Sequence, residues 1–203
     1  MCIRDSSWVE RAWVLDDARQ GSVRPAKILQ GCSILMTRAA YDAVGGFDET
    51  ITAGEDTLFF EALKEKGFKV IFNPQFSVVH LGYPDNLTRF IRRQCWQASD
   101  YLRSNKGLFN DLMYLGTWVF TILFVAVVLT SPLSPALSMF LAVCWALLPL
   151  GLSIKRLRQA NWPKLTPLYL LQIYIIDACY LLGRSLGLLR SLVSPNKVSG
   201  RVG

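Results

Sequence analysis

Two adjacent carboxylates, Glu55 and Asp56, follow Gly54 and precede an apolar run with helical spacing, so both stand where a helix begins. A carboxylate at that point has its backbone held by the first turn while its side chain stays outside the hydrogen-bonded ladder. It can therefore take a proton from an attacking hydroxyl. The same placement suits a plain helix cap, because acids favour the positive end of a helix. A second acidic pair, Asp48 and Glu49, emerges on the loop that Gly45 and Gly46 open. His80, the single histidine, follows a predicted strand and has the chemistry of either a metal ligand or a structural hydrogen-bonder. Farther along, Arg93 has the planar fork that holds a diphosphate with two parallel hydrogen bonds, and Trp96 has the amphipathic ring that anchors at a membrane interface.

The elements that must carry these groups can be read from periodicity and punctuation. Trp8, Val9, Ala12, Trp13 and Val14 lie at spacings of one helical face, which predicts a helix over residues 7–24. Residues 28–36 read as an apolar strand broken by Gly31, and Thr37 then caps a short helix that Gly45 and Gly46 end. Leu58, Phe59, Ala62 and Leu63 give the next helix its buried face, and Gly67 stops it. Residues 69–72 and 76–80 read as two short strands separated by the turn signal Asn73-Pro74. This succession predicts an α/β or α+β layer. Residues 87–102 are amphipathic, suited to lie on a membrane or on the preceding domain.

The second half of the chain has a different character. The 203 residues are 52% hydrophobic, and residues 112–154 contain no Asp, Glu, Lys, Arg or His. Two spans follow, at about 112–130 and 136–154, joined by Ser131-Pro132-Leu133-Ser134-Pro135; 19 residues at ~1.5 Å each cover a hydrocarbon core of ~30 Å. The loop over residues 155–164 holds four basic residues and no acid, which places it and the preceding domain on the cytoplasmic side of a multi-pass membrane protein. A bacterial inner membrane is the expected location. The formal charge of +7 gathers beside these spans, an arrangement of membrane topology rather than of nucleic-acid binding.

The last apolar stretch, about 168–189, contains Asp177 and Arg184 and precedes further basic residues. A third crossing would put that basic tail outside, so a re-entrant or interfacial segment is expected, with Asp177 and Arg184 two turns apart and able to pair. Five widely spaced cysteines indicate neither a disulfide framework nor a metal knuckle. Residues 1–6 have no look of a domain start, and the natural protein is expected to begin upstream.

Several motifs now stand in order. They are Gly31-Cys32-Ser33-Ile34-Leu35-Met36-Thr37-Arg38, Val44-Gly45-Gly46-Phe47-Asp48-Glu49, Gly54-Glu55-Asp56-Thr57-Leu58, Gly67-Phe68-Lys69, Pro74 and Val79-His80. In order and approximate spacing this string resembles the second half of the family 2 glycosyltransferases over roughly residues 26–107. The resemblance implies an α/β fold, here a partial GT-A domain over residues 7–107 followed by a membrane region over 108–203. It implies an inverting transferase that moves a sugar from a nucleotide-sugar donor to a lipid-linked or polysaccharide acceptor at the cytoplasmic membrane face. Asp56 would then be the general base and Glu55 a supporting acid. Asp48, Glu49, Gly45 and Gly46 would line the acceptor site, and His80 would help bind a divalent metal, Mg2+ or Mn2+, with the diphosphate. Where processive relatives carry a QxxRW motif, this chain has Arg92-Arg93-Gln94-Cys95-Trp96, which does not match and speaks against polymer synthesis. The family's first half and its Asp-x-Asp motif have no counterpart, so the chain is expected to be inactive alone. A non-catalytic membrane-anchored module that binds a partner is the alternative.

Overall fold

A computed structural model describes residues 7–15, 23–26, 29, 33–48, 54–76, 82–104, 112–160 and 166–193, with residues 100–104 described by backbone alone. Among them are seven α-helices and one small sheet: α1 (Trp8–Trp13), β1 (Arg24–Pro25), α2 (Arg38–Val44), α3 (Glu55–Glu65), β2 (Ile71–Phe72), α4 (Leu87–Ser104), α5 (Leu112–Thr130), α6 (Pro135–Gln159) and α7 (Pro167–Val193). A single 3-10 turn, Pro74–Phe76, follows β2.

This architecture overturns the expected α/β sandwich. Among the described residues the only sheet pairs Arg24 with Phe72 and Pro25 with Ile71, antiparallel, two residues from each strand. A two-stranded ribbon of that length has no face broad enough to bury a layer of helices. In the apolar run expected as a strand over residues 28–36, the described residues 34–36 belong to no strand, and Leu35 remains 76% exposed. Phe76, expected to open the next strand, closes the 3-10 turn, and residues 77–80 lie outside the described residues. A short apolar run states that something is buried or extended; only a neighbouring strand makes it part of a sheet.

Burial falls into two clusters. The smaller is built on Ala40 of α2 and Phe59 and Leu63 of α3, with Leu29, Met36, Tyr41, Val44, Phe47 and Val70 packed around them. The larger joins α1, α4, α6 and α7 through Val9, Ala12, Phe90, Leu157, Ile173 and Ile176. α7 is the centre of the second cluster, in contact with α1, α4, α5 and α6.

Two helices are long and apolar enough to cross a membrane, α5 with 19 residues and α6 with 25. Only 22% of the apolar stretch of α5 and 11% of that of α6 are buried inside the protein, so their outer faces meet whatever surrounds the molecule. Ile122, Phe124, Val128 and Leu129 on α5 and Met139, Phe140, Val143 and Leu147 on α6 all lie exposed. That much apolar surface is stable against lipid and costly against water. Ser134 caps the start of α6 through the Leu137 amide at 3.4 Å, and Pro135 occupies the first helical position, where a missing N–H costs nothing. At ~1.5 Å per residue α6 is roughly 37 Å long, so Lys155, Arg156 and Arg158 on its last turns extend past a core of ~30 Å. The stretch expected at 168–189 is a single unbroken helix, α7, with no turn at which a re-entrant hairpin could reverse.

Candidate functional site

The candidate carboxylates stand at the corner between α2 and α3. Thr37 starts α2 by accepting a hydrogen bond from the Ala40 amide at 3.2 Å, and Gly45, in the left-handed region at φ 84°, ends it. Gly46 continues the turn at φ 79°, and a Cβ there would come within 2.7 Å of the Tyr41 hydroxyl. Glycine is therefore demanded twice at this position, by the backbone angle and by the tyrosine ring packed over it.

The turn delivers Phe47 onto α3, where its ring stacks on Phe59 at 4.3 Å between centroids; Tyr41 closes the cluster at 6.0 Å from Phe59 and 6.2 Å from Phe47. Asp48, next in the chain, is exposed. Phe59 lies three residues after Asp56 on α3, and Asp48 directly follows Phe47 in the chain, so the stack ties the residue before Asp48 to the helix that bears Asp56. That turn opens on Gly54 at φ 87°, whose carbonyl accepts from the amides of Thr57 and Leu58. Glu55 and Asp56 are both half-buried, and Asp56 Oδ1 accepts a hydrogen bond from the Thr57 amide at 2.8 Å. The carboxylate is thus held at the helix start by an amide that it shares with the Gly54 carbonyl.

The remaining predicted groups are placed differently. Arg93 and Trp96 belong to α4, whose buried side is part of the α7-centred cluster. Arg93 is half-buried with its guanidinium 5.5 Å from the Tyr83 ring centre, and Trp96 is half-buried. Glu49 and His80 lie outside the described residues. Among the described residues no group of three or more His, Cys, Asp or Glu side chains is arranged to hold a metal ion, so the expected Mg2+ or Mn2+ finds no fitting donor set there.

Sequence reasoning missed a buried polar centre. Asp177, expected to pair with Arg184 on its own helix, instead forms an ion pair with Arg156 of α6 and accepts a 2.7 Å hydrogen bond from Ser153. Asp177 is fully buried, and Arg156 spends its other nitrogen on α1, donating to the carbonyls of Ala12 at 2.8 Å and Trp13 at 2.6 Å. The guanidinium also lies 4.8 Å from the Trp13 ring, which stacks on Tyr180 at 5.3 Å and meets Phe90 edge-on at 5.0 Å. A cation against the last carbonyls of a helix is favourable, and a buried carboxylate prevents that cation from standing unpaired. The available signal was a lone acid in an apolar helix, a residue type that faces a bundle interior and finds a partner.

No family model, curated protein or solved structure matches the chain.

Proposed function

We propose that this chain is the acceptor-side and membrane-anchoring part of an inverting, nucleotide-sugar-dependent glycosyltransferase, with Asp56 as general base. The observation that carries the proposal is the ordered motif string, together with the α2–α3 corner in which the Phe47–Phe59 stack holds the residue before Asp48 against the helix that begins with Glu55 and Asp56. It rests on that corner and not on an α/β sandwich.

In this reading an acceptor hydroxyl approaches the first turn of α3. Its oxygen bonds to the anomeric carbon of the donor sugar from the face opposite the diphosphate, the carbon–oxygen bond to the diphosphate breaks, and the hydroxyl proton passes to the Asp56 carboxylate. Glu55 and Asp48 orient the acceptor, and Gly45 and Gly46 set the path of the loop. Arg93 offers charge to the leaving diphosphate. The two apolar helices form a hairpin in a bacterial inner membrane, with the α2–α3 corner on the cytoplasmic side, where lipid-linked acceptors and soluble nucleotide sugars meet.

Asp56→Asn provides a clean test because asparagine can keep the hydrogen bond from the Thr57 amide through its Oδ1 and cannot accept the proton. In the enzyme that contains this chain, the variant is expected to keep its fold and its nucleotide-sugar affinity while sugar transfer falls by roughly 10²–10⁴-fold. Unchanged turnover would remove Asp56 from the reaction. A partner-binding module is the second reading, favoured by the hydrogen bond that commits Asp56 to its own helix. It predicts no transfer in any length of the chain and no consequence of Asp56→Asn beyond stability.

A further inference from the structure

The outer face of α4 carries, besides Arg93, charge that the proposed reaction does not use. Arg89, Arg92, Arg93 and Trp96 fall at i, i+3, i+4 and i+7 and so share one face of the helix. The opposite face is fully spent on α7. Phe90, Gln94 and Ala98 are buried, and Gly183 and Gly187 let α7 approach so closely that a Cβ on Gly183 would stand 2.7 Å from Gln94 Cβ. Direction is thereby fixed: α4 cannot turn its arginines inward.

Where that face lies follows from the chain. Only residues 105–111 separate α4 from the start of α5, and α6 returns through the turn at 131–134, so the end of α4 and the end of α6 are on the same side of the α5–α6 pair. On that side α6 exposes Lys155 and Arg158. α7, against which α4 is packed, exposes an apolar strip of Leu182, Leu186 and Leu189 at i, i+4 and i+7. Cationic residues gathered beside a membrane helix on the side that retains positive charge face the leaflet richest in anionic lipid. Arg89 is partly neutralised by Asp85 at 3.0 Å, whereas Arg92 is exposed.

We propose that the Arg89, Arg92, Arg93 and Trp96 face of α4 is a docking surface for anionic phospholipid headgroups, which seats the helix on the bilayer beside α5 and α6. The proposal rests on α5 and α6 crossing a membrane, and although Arg93 is shared with the proposed diphosphate contact, lipid docking is read without sugar transfer.

The test places a fluorophore on Thr88→Cys, an exposed position on α4, in the full chain with its native cysteines replaced by serine. The protein is reconstituted into nanodiscs of phosphatidylcholine alone or of an equal mixture of phosphatidylcholine and phosphatidylglycerol, each containing a headgroup-quencher lipid. Quenching is expected to be about twofold stronger in the anionic discs and to fall back at high salt. The triple variant R89Q/R92Q/R93Q should lose that difference with helix content unchanged, and R89K/R92K/R93K should keep it. Equal quenching in both lipids, or an anionic preference that survives the glutamine triple, overturns the proposal. A chain that fails to insert into either disc removes the membrane reading itself, and the docking surface with it.

Discussion

Gly46 shows how much of the candidate corner depends on one missing side chain. Its φ of 79° disfavours any L-residue, and the Tyr41 hydroxyl occupies the space a Cβ would take. Gly46→Ala is expected to destabilise the α2–α3 corner by ~1–3 kcal/mol, measurable as a lowered unfolding midpoint of that region by hydrogen exchange. At the same scale, Asp177→Ala leaves Arg156 buried and unpaired, a loss of ~3–5 kcal/mol in comparable buried pairs. Thermal unfolding in detergent should register it, whereas Arg184→Ala, on the partner that spacing alone suggested, should cost less. The glycines at 45 and 46 and the acids at 55 and 56 were legible because turn and cap chemistry is local. The Asp177 partner was not, because spacing within one helix is silent about a neighbour that arrives from another.

Elements were legible in proportion to how far their own sequence decides them. α5 runs over Leu112–Thr130, where the uncharged stretch placed a span, and α3 begins at Glu55 as its acids and apolar periodicity predict. α6 continues to Gln159, past the expected end at 154, because lysine and arginine are good helix formers and hydropathy registers only where the apolar run stops. Strands fared worst, since a strand exists only through a partner and β1 with β2 offers two residues each. The α4–α7 seam escaped notice because glycine in an apolar helix reads as a weak residue and not as a contact. A Cβ on Gly187 would meet the Cys95 carbonyl and stand 2.8 Å from Ala98 Cβ. Gly187→Leu is therefore expected to separate α4 from α7 while leaving the α5–α6 hairpin intact. Faster amide exchange confined to α4 is the measurement; protection equal to the parent would contradict the seam.

At the scale of the molecule, α1 and α4 stand on either side of residues 16–86 in sequence, and both dock on α7. The segment that contains the candidate carboxylates is thereby tied to the apolar helices at both of its ends. The exposed faces of α5 and α6 predict that the chain stays with the membrane fraction after alkaline carbonate extraction, and release into the supernatant would contradict insertion. Composition made this bipartite character plain. The way the halves are fastened was hidden, because it depends on carbonyl groups of α1, which every sequence has.

The bond between Arg156 and the end of α1 joins residues 143 and 144 positions apart. At ribosomal speeds of ~5–20 residues per second, Trp8 and Trp13 leave the exit tunnel on the order of ten seconds before Arg156 is synthesised. During that interval α1, at six residues too short to hold a helix unaided, has no docking partner. Its capture must wait until α6 and α7 have been made, so α1 acquires its native contacts only after segments synthesised long after it.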